Sequence, residues 1–151
     1  MQPSRSLDTT LATTLALSLS AVVLFVGDPL YVGLWYYLVV PAVALGLAAA
    51  LRAKPLFLSG TSLALTITLL AYMPINWRAV RPEGLLGLGH LCSLPGAGVG
   101  IVLGAFLAKR VQHPLIVAVL GFLGLLSGFF INQLIVCNTV MWCGPLSMSI
   151  R

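Results

Sequence analysis

Long stretches without a charged residue constrain this chain more than any other feature of its sequence. Charged residues make up only 7% of its 151 residues, whereas 60% are hydrophobic. In an ordinary soluble domain about 25% of residues are charged, and a soluble fold could not cover its surface with so few charges. We therefore predict an all-α fold, a polytopic bundle of transmembrane helices, because a helix satisfies its own backbone hydrogen bonds inside lipid.

Charges and prolines divide the chain into five apolar runs within a single membrane domain, residues 1–151. Gly27, Asp28 and Pro29 separate the first two runs, since glycine commonly ends helices and proline commonly begins them. Pro114 opens the last run in the same way. The predicted spans are about residues 11–27, 30–51, 56–73, 88–108 and 115–136.

Alternatives to this division stay open. Four spans are the main alternative to five. The first run could instead be a cleaved signal peptide, although Asp8 lies in the wrong place for one and no cleavage motif follows. Residues 84–95 could either belong to the fourth span, kinked at Pro95, or lie along the membrane interface.

The basic residues favour a cytoplasmic N-terminus. With five alternating spans, that orientation puts five of the eight cations in the cytoplasm: Arg5, Arg52, Lys54, Lys109 and Arg110. The other three, which then lie outside, are Arg78, Arg81 and Arg151. The positive-inside rule prefers this distribution. It predicts a multi-pass protein of the bacterial cell inner membrane, in contact with membrane lipid.

Tryptophan and tyrosine residues fall at or near the opposite, outer ends of the spans. The outer aromatic rim is expected to contain Tyr31, Trp35, Tyr36 and Trp77. Amphipathic rings favour the headgroup zone of a bilayer. The rim is therefore either a membrane anchor or a docking surface for an external partner.

All three cysteines also fall on the outer side. That side of a bacterial inner membrane is oxidising. A disulfide between Cys137 and Cys143 is the simplest pairing, and Cys92 is then the unpaired cysteine. Cysteines near helix ends are also ordinary packing residues, so both interpretations stay open.

A row of small residues marks one face of the fourth span. Its members are spaced by four: Gly96, Gly100, Gly104 and Ala108. The fifth span carries Gly121, Gly124 and Gly128. Such rows let another helix backbone approach closely, within the bundle or from a partner chain, so an oligomer is possible. Gly87 lies outside the row, and we expect substitutions there to be tolerated better than at Gly100.

Asn132 and Gln133 place two amides in the outer half of the fifth span. Amides in lipid need hydrogen-bond partners, so at least Asn132 should face the bundle. Two interpretations follow from this pair. The two amides either form interhelical hydrogen bonds or line a small polar pore or pocket.

Chemistry-bearing residues are sparse at membrane depth. The three acids, Asp8, Asp28 and Glu83, are expected at or beyond helix ends, and His90 at the interface. The sequence has no Cys-x-x-Cys pair, nucleophile motif or phosphate-binding loop. We therefore expect no catalytic residue, no metal site, no cofactor and no nucleic-acid partner, and predict that the protein is not an enzyme.

Three classes of function remain. The favoured one is a non-catalytic inner-membrane protein that binds another membrane-inserted protein. Its most concrete form is an immunity protein against a pore-forming or membrane-targeting toxin. An accessory subunit of a membrane complex is another form of this class. The second class is a small channel or carrier lined by Ser, Thr, Asn132 and Gln133. The third class, a membrane enzyme or thiol oxidoreductase using the cysteines, is disfavoured because the required cysteine pair is missing.

Overall fold

The computed structural model describes residues 4–140 apart from residues 29, 31 and 78–84, with only the backbone described for 75–77 and 85–86. Five α-helices follow one another: α1 (Arg5–Val26), α2 (Leu34–Ala50), α3 (Phe57–Trp77), α4 (Leu85–Ala108) and α5 (Pro114–Thr139). No strand occurs in the described ranges. All but α2 contain a segment long and apolar enough to cross a membrane. The predicted all-α fold of a multi-pass membrane protein is therefore confirmed.

The second helix is shorter than the apolar run that contains it. It has 17 residues, or about 25 Å of helix, against a hydrocarbon core of about 30 Å. Its start is delayed by Gly33, whose φ of 84° favours glycine. Before it, the Asp28 carboxylate accepts hydrogen bonds from the backbone N–H groups of Leu30 and Gly33. These bonds stabilise a turn where the sequence predicted helix.

Although short, α2 runs between the same two ends of the bundle as its neighbours. The Ser20 hydroxyl, late in α1, donates to the carbonyl of Tyr37, early in α2, at 3.0 Å. The Arg5 guanidinium, at the start of α1, donates to the carbonyl of Ala53, just beyond α2, at 3.4 Å. α1 and α2 are therefore antiparallel, and the five helices alternate in direction.

The third helix lies at the centre of the bundle. It packs against all four others, while α1 packs on α2, α2 on α4, and α4 on α5. Between α1 and α5 there is no contact of comparable size within the described residues. Leu63, Ile67 and Leu70 of α3 are consequently exposed in this gap.

The first helix begins at Arg5 and not near residue 11, and its first turn contacts α3 through Asp8. Ser4 caps the helix, since its hydroxyl oxygen accepts from the Leu7 N–H at 3.2 Å. Asp8 lies at a helix end, as expected, because it occupies the first turn of α1. It is also fully buried, which the sequence did not predict, and accepts from the N–H groups of Leu58 and Ser59 at 3.3 and 2.8 Å. The carboxylate thus caps the N-terminus of α3, where helices favour negative charge.

Five cations gather at one end of the bundle, here called the basic end. They are Arg5, Arg52, Lys54, Lys109 and Arg110. Hydrogen bonds connect the segments that carry them, because Arg5 reaches Ala53 and the Lys54 ammonium donates to the Val111 carbonyl at 2.6 Å. Asp28 and the first turn of α2 lie at the opposite end. This distribution matches the grouping of cations from which we predict a cytoplasmic N-terminus.

Candidate functional site

The small residues of α4 lie directly against α5. Gly96, Gly100 and Gly104 face Gly128, Gly124 and Leu120, in antiparallel register. A Cβ atom at Gly100 would overlap the Gly124 carbonyl oxygen, and one at Gly104 would lie 2.8 Å from the Leu120 carbonyl. We call this backbone-to-backbone packing the glycine contact. Ala108 continues it as a fully buried residue at the basic end.

The glycine contact is made within the chain, so the row does not itself offer a free face to a partner. The other side of α5 packs as closely on α3, where a Cβ at Gly121 would lie 2.5 Å from the Phe57 carbonyl. Gly87 departs from our expectation. A Cβ there would lie 2.7 Å from the Leu30 carbonyl, because the segment before α2 folds over it. By contrast, a Cβ at Gly98 would meet no atom of another helix closer than the Leu47 side chain, at 4.0 Å.

A polar and aromatic cluster connects four helices towards the opposite end. We call it the histidine cluster, and its members are Tyr36, Thr68, Tyr72, His90, Phe129 and Gln133. His90 is fully buried, with Nδ1 2.7 Å from the Tyr36 hydroxyl and Nε2 3.4 Å from the Thr68 hydroxyl. Its ring packs on Tyr72 and Phe129, with centroid separations of 5.1 and 4.8 Å.

The hydrogen-bond pattern assigns the proton on His90. The Thr68 hydroxyl donates to the Leu65 carbonyl at 2.8 Å, so its oxygen must accept from Nε2–H of His90. A fully buried ring with no acidic group beside it is uncharged, so Nδ1 carries no proton and accepts from the Tyr36 hydroxyl. His90 is therefore a neutral imidazole that joins α2, α3 and α4, and not the interfacial residue that the sequence predicted.

The two intramembrane amides are both placed towards neighbouring helices. The Asn132 amide donates to the Cys92 carbonyl of α4 at 2.6 Å. Gln133 is buried, and its amide nitrogen donates to the Tyr72 hydroxyl. Its carbonyl oxygen Oε1 has no hydrogen-bond partner among the described residues. Exchanging the two amide atoms would leave the nitrogen unpaired instead, so the cluster retains one unsatisfied polar group in either assignment.

Of the four residues expected in the aromatic rim, two have described side chains. Trp35 is 59% exposed, whereas Tyr36 is 1% exposed and belongs to the histidine cluster. Tyr36 therefore departs from the expectation of an exposed rim, because its hydroxyl finds a partner inside the bundle. Tyr31 and the side chain of Trp77 lie outside the described residues.

The cysteines differ in chemical state. Cys137 is disulfide-bonded and Cys92 carries a free thiol. Cys143 lies outside the described residues, so its pairing with Cys137 stays a prediction. Within the described part of the chain, no group of three His, Cys, Asp or Glu side chains could hold a metal ion.

The outward face of α1 carries hydroxyl groups. Thr10, Thr14 and Ser18 are spaced by four residues and are all exposed, on the side opposite the buried Ala12 and Leu19. The Ser18 hydroxyl donates to the Leu15 carbonyl of its own helix. The hydroxyls of Thr10 and Thr14 make no hydrogen bond with any described residue. This row is called the threonine face.

The sequence predicts the glycine row but not the histidine cluster. Tyr36 and His90 are 54 positions apart, and no local pattern pairs them. The spacing of Thr14 and Ser18 puts them on one face of the first span, but it does not tell whether that face points into the bundle or away from it. No known protein family, characterised protein or solved structure is significantly similar to this chain.

Proposed function

We propose that this protein acts by stoichiometric binding of another membrane-inserted protein, without turnover of its own. The observation that carries the proposal is the threonine face. Thr10 and Thr14 present exposed hydroxyls on the outside of an apolar helix long enough to span a membrane, and no described residue pairs with them. In lipid, such groups find partners on a neighbouring helix, at about 0.6 to 2 kcal/mol for each hydrogen bond.

The position of α1 supports the same conclusion. It is a peripheral helix with most of its surface uncovered, and it borders the gap in which Leu63, Ile67 and Leu70 of α3 are exposed. The threonine face points away from α3, so a partner helix can pack against it without displacing a helix of the bundle. The glycine rows are not free to bind a partner helix, because α4 and α5 already pack against each other there.

The most concrete form of this function is immunity. A pore-forming or membrane-targeting toxin presents apolar helices to the bilayer of the bacterial inner membrane, and a protector must bind it there. Such a protector needs a complementary helix face and no reactive group. This is the reason for proposing a binding protein and not an enzyme.

The test deletes the gene and measures membrane potential in the bacterium that carries it, alone and in contact with toxin-bearing sister cells. Immunity requires depolarisation only on contact. Restoring the gene with Thr10→Leu and Thr14→Leu should fail to protect. A matched variant with Thr9→Leu and Thr13→Leu should protect, because those two hydroxyls already donate to carbonyls of α1 itself. Equal protection by both variants would contradict the assignment of the threonine face.

A small channel or carrier is the second candidate, and the unpaired Gln133 oxygen in the histidine cluster favours it. A buried polar group without a partner is a place where a solute could bind. If deletion abolishes uptake of a solute, and the purified protein transports that solute in vesicles, the carrier function is correct and the immunity function is not.

A further inference from the structure

An apolar furrow of about 520 Å³ runs along the outside of α4 and α5. Its floor is the glycine contact, which lacks side chains. Its walls include Val99, Leu103 and Leu123, which are 60, 59 and 52% exposed. The furrow exists because the two backbones meet closely while the flanking side chains stand clear on both sides. It opens towards the surroundings of the bundle, so in a membrane it opens to lipid.

Polar groups in the furrow are already occupied. The Ser127 hydroxyl donates to the Gly124 carbonyl of its own helix at 3.2 Å, and the Asn132 amide donates to Cys92. The remaining lining is aliphatic or glycine. An occupant of the furrow therefore needs apolar surface and no hydrogen-bonding groups along this length.

The furrow is long enough to hold the acyl chain of one leaflet. It reaches from Gly96 to Leu107 on α4 and from Leu120 to Ile135 on α5, helix lengths of about 17 and 23 Å. The α4 segment is the half of that helix nearer the basic end. Half of a hydrocarbon core of about 30 Å is about 15 Å, so an acyl chain of that leaflet fits within the length of the furrow.

Positive charge lies where the headgroup of such a lipid would be. Lys109 and Arg110 directly follow the furrow and are exposed. Arg110 follows Leu103 and Leu107 at intervals of four and three residues, which put it on the same side of α4. Its N–H donates to the Leu107 carbonyl at 3.0 Å. Its guanidinium has no ion pair or hydrogen bond within the described residues. Lys54, by contrast, is engaged with Val111.

We propose that the furrow and this pair of cations form a binding site for one anionic phospholipid of the leaflet at the basic end. One acyl chain lies along the glycine contact, and the headgroup phosphate lies between Lys109 and Arg110. Electroneutral lipids share the acyl chain but lack the net negative charge that the two cations select. Neither cation has an acidic partner among the described residues, and the Lys109 ammonium lies 4.9 Å from the centre of the Phe106 ring. The site is independent of the threonine face and of whichever partner α1 binds.

Native mass spectrometry of the full chain, released from micelles with added lipid, tests the proposal. The probes are phosphatidylglycerol and phosphatidylcholine with identical acyl chains. Phosphatidylglycerol should be retained in preference as a single adduct. The double variant Lys109→Gln, Arg110→Gln should weaken its binding about thirty-fold, because two basic contacts to an anionic lipid are lost. The matched variant Arg52→Gln, an exposed cation at the same end, should bind as the parent does.

A second variant tests the furrow with all cations retained. Ser127→Leu should weaken phosphatidylglycerol binding about tenfold, equivalent to displacing two methylene groups. Ala42→Leu, exposed on α2, should not. Equal retention of both lipids, or an equal loss with Arg52→Gln, would overturn the proposal. So would equal binding of inorganic phosphate, since the furrow would then contribute nothing, or a dimer in place of the lipid adduct.

Discussion

Two helix contacts in this bundle differ in the interactions that hold them together. α4 and α5 meet through glycine backbones, with no side chain between Gly100 and Gly124. α1 and α3 meet through hydrogen bonds, since Asp8 caps α3 and the Ser62 hydroxyl donates to the Ala12 carbonyl at 2.8 Å. Lipid is as apolar as leucine, so the hydrophobic effect does not drive membrane helices together. Each pair therefore uses one of the two remaining means, close packing or polar contact.

The two contacts should fail in different ways. The glycine contact has no spare volume, so it should be sensitive to added atoms and indifferent to charge. The α1–α3 contact depends on acceptors, so it should be sensitive to the loss of oxygen atoms. Variants that reverse this pattern would break the comparison.

The largest effect is expected at Gly100. Gly100→Ala should lower the free energy of unfolding by about 2 to 3 kcal/mol, because the new Cβ overlaps a backbone carbonyl that cannot rotate away. Reversible unfolding in mixed micelles measures it. Gly98→Ala on the same helix is the control, with no loss expected, since the new Cβ would lie 4.0 Å from the Leu47 side chain. An equal response at both positions would mean that α4 and α5 do not pack as described.

Asp8→Ala should follow, with a loss of about 2 kcal/mol, because it leaves buried N–H groups of Leu58 and Ser59 without acceptors. Asp8→Asn keeps one oxygen and should cost about half as much. Thr9→Ala, its exposed neighbour, is the control for changes in α1 alone. If Asp8→Ala and Thr9→Ala gave the same unfolding free energy, Asp8 would not connect α1 to α3.

The histidine cluster combines close packing with polar contact, and a double-mutant cycle sharpens the comparison there. Tyr36→Phe and His90→Leu should show a coupling of about 1 kcal/mol, the size of one buried hydrogen bond. The control cycle uses Tyr37→Phe, whose hydroxyl bonds to Asp28 and not to His90. Coupling of the same size in both cycles would refute a direct bond from Tyr36 to His90.

The smallest effect is expected at Gln133. Gln133→Leu removes the hydrogen bond to Tyr72 but also removes the unpaired oxygen. These changes offset each other, so the free energy of unfolding should stay within about 0.5 kcal/mol of the parent. A loss above about 2 kcal/mol would show that the oxygen has a partner, such as a bound water or solute.

Local signals predicted the parts of the fold that local physics determines. Pro114 begins α5, and Gly27 ends α1 with a φ of 98°. The spacing of Gly96, Gly100 and Gly104 predicted a close helix contact because small residues at that interval share one face. Whether the partner was α5 or another chain depended on tertiary structure, which spacing does not encode.

The side chains whose surroundings were not predicted are those whose partners are distant in sequence. Asp8 lies at the start of a helix, as a charge beside an apolar run suggests, but its burial was not predicted because it binds N–H groups of α3, fifty positions away. Tyr36 was assigned to the rim because tyrosine favours interfaces. His90 supplies it with a buried partner, and only the packed bundle shows that pairing.

The central position of α3 has a consequence for the order in which the protein enters the membrane. α3 is the least apolar and the most deeply buried of the four long helices. Synthesis proceeds from the N-terminus, so α3 reaches the bilayer before α4 and α5 exist to cover it. At that stage only α1 and α2 can pair its polar groups, and Asp8 with the Ala12 carbonyl already supplies partners to Ser59 and Ser62. α1 therefore offers hydrogen-bond partners to α3 before His90 and Gln133, which bind Thr68 and Tyr72 of α3, have been synthesised.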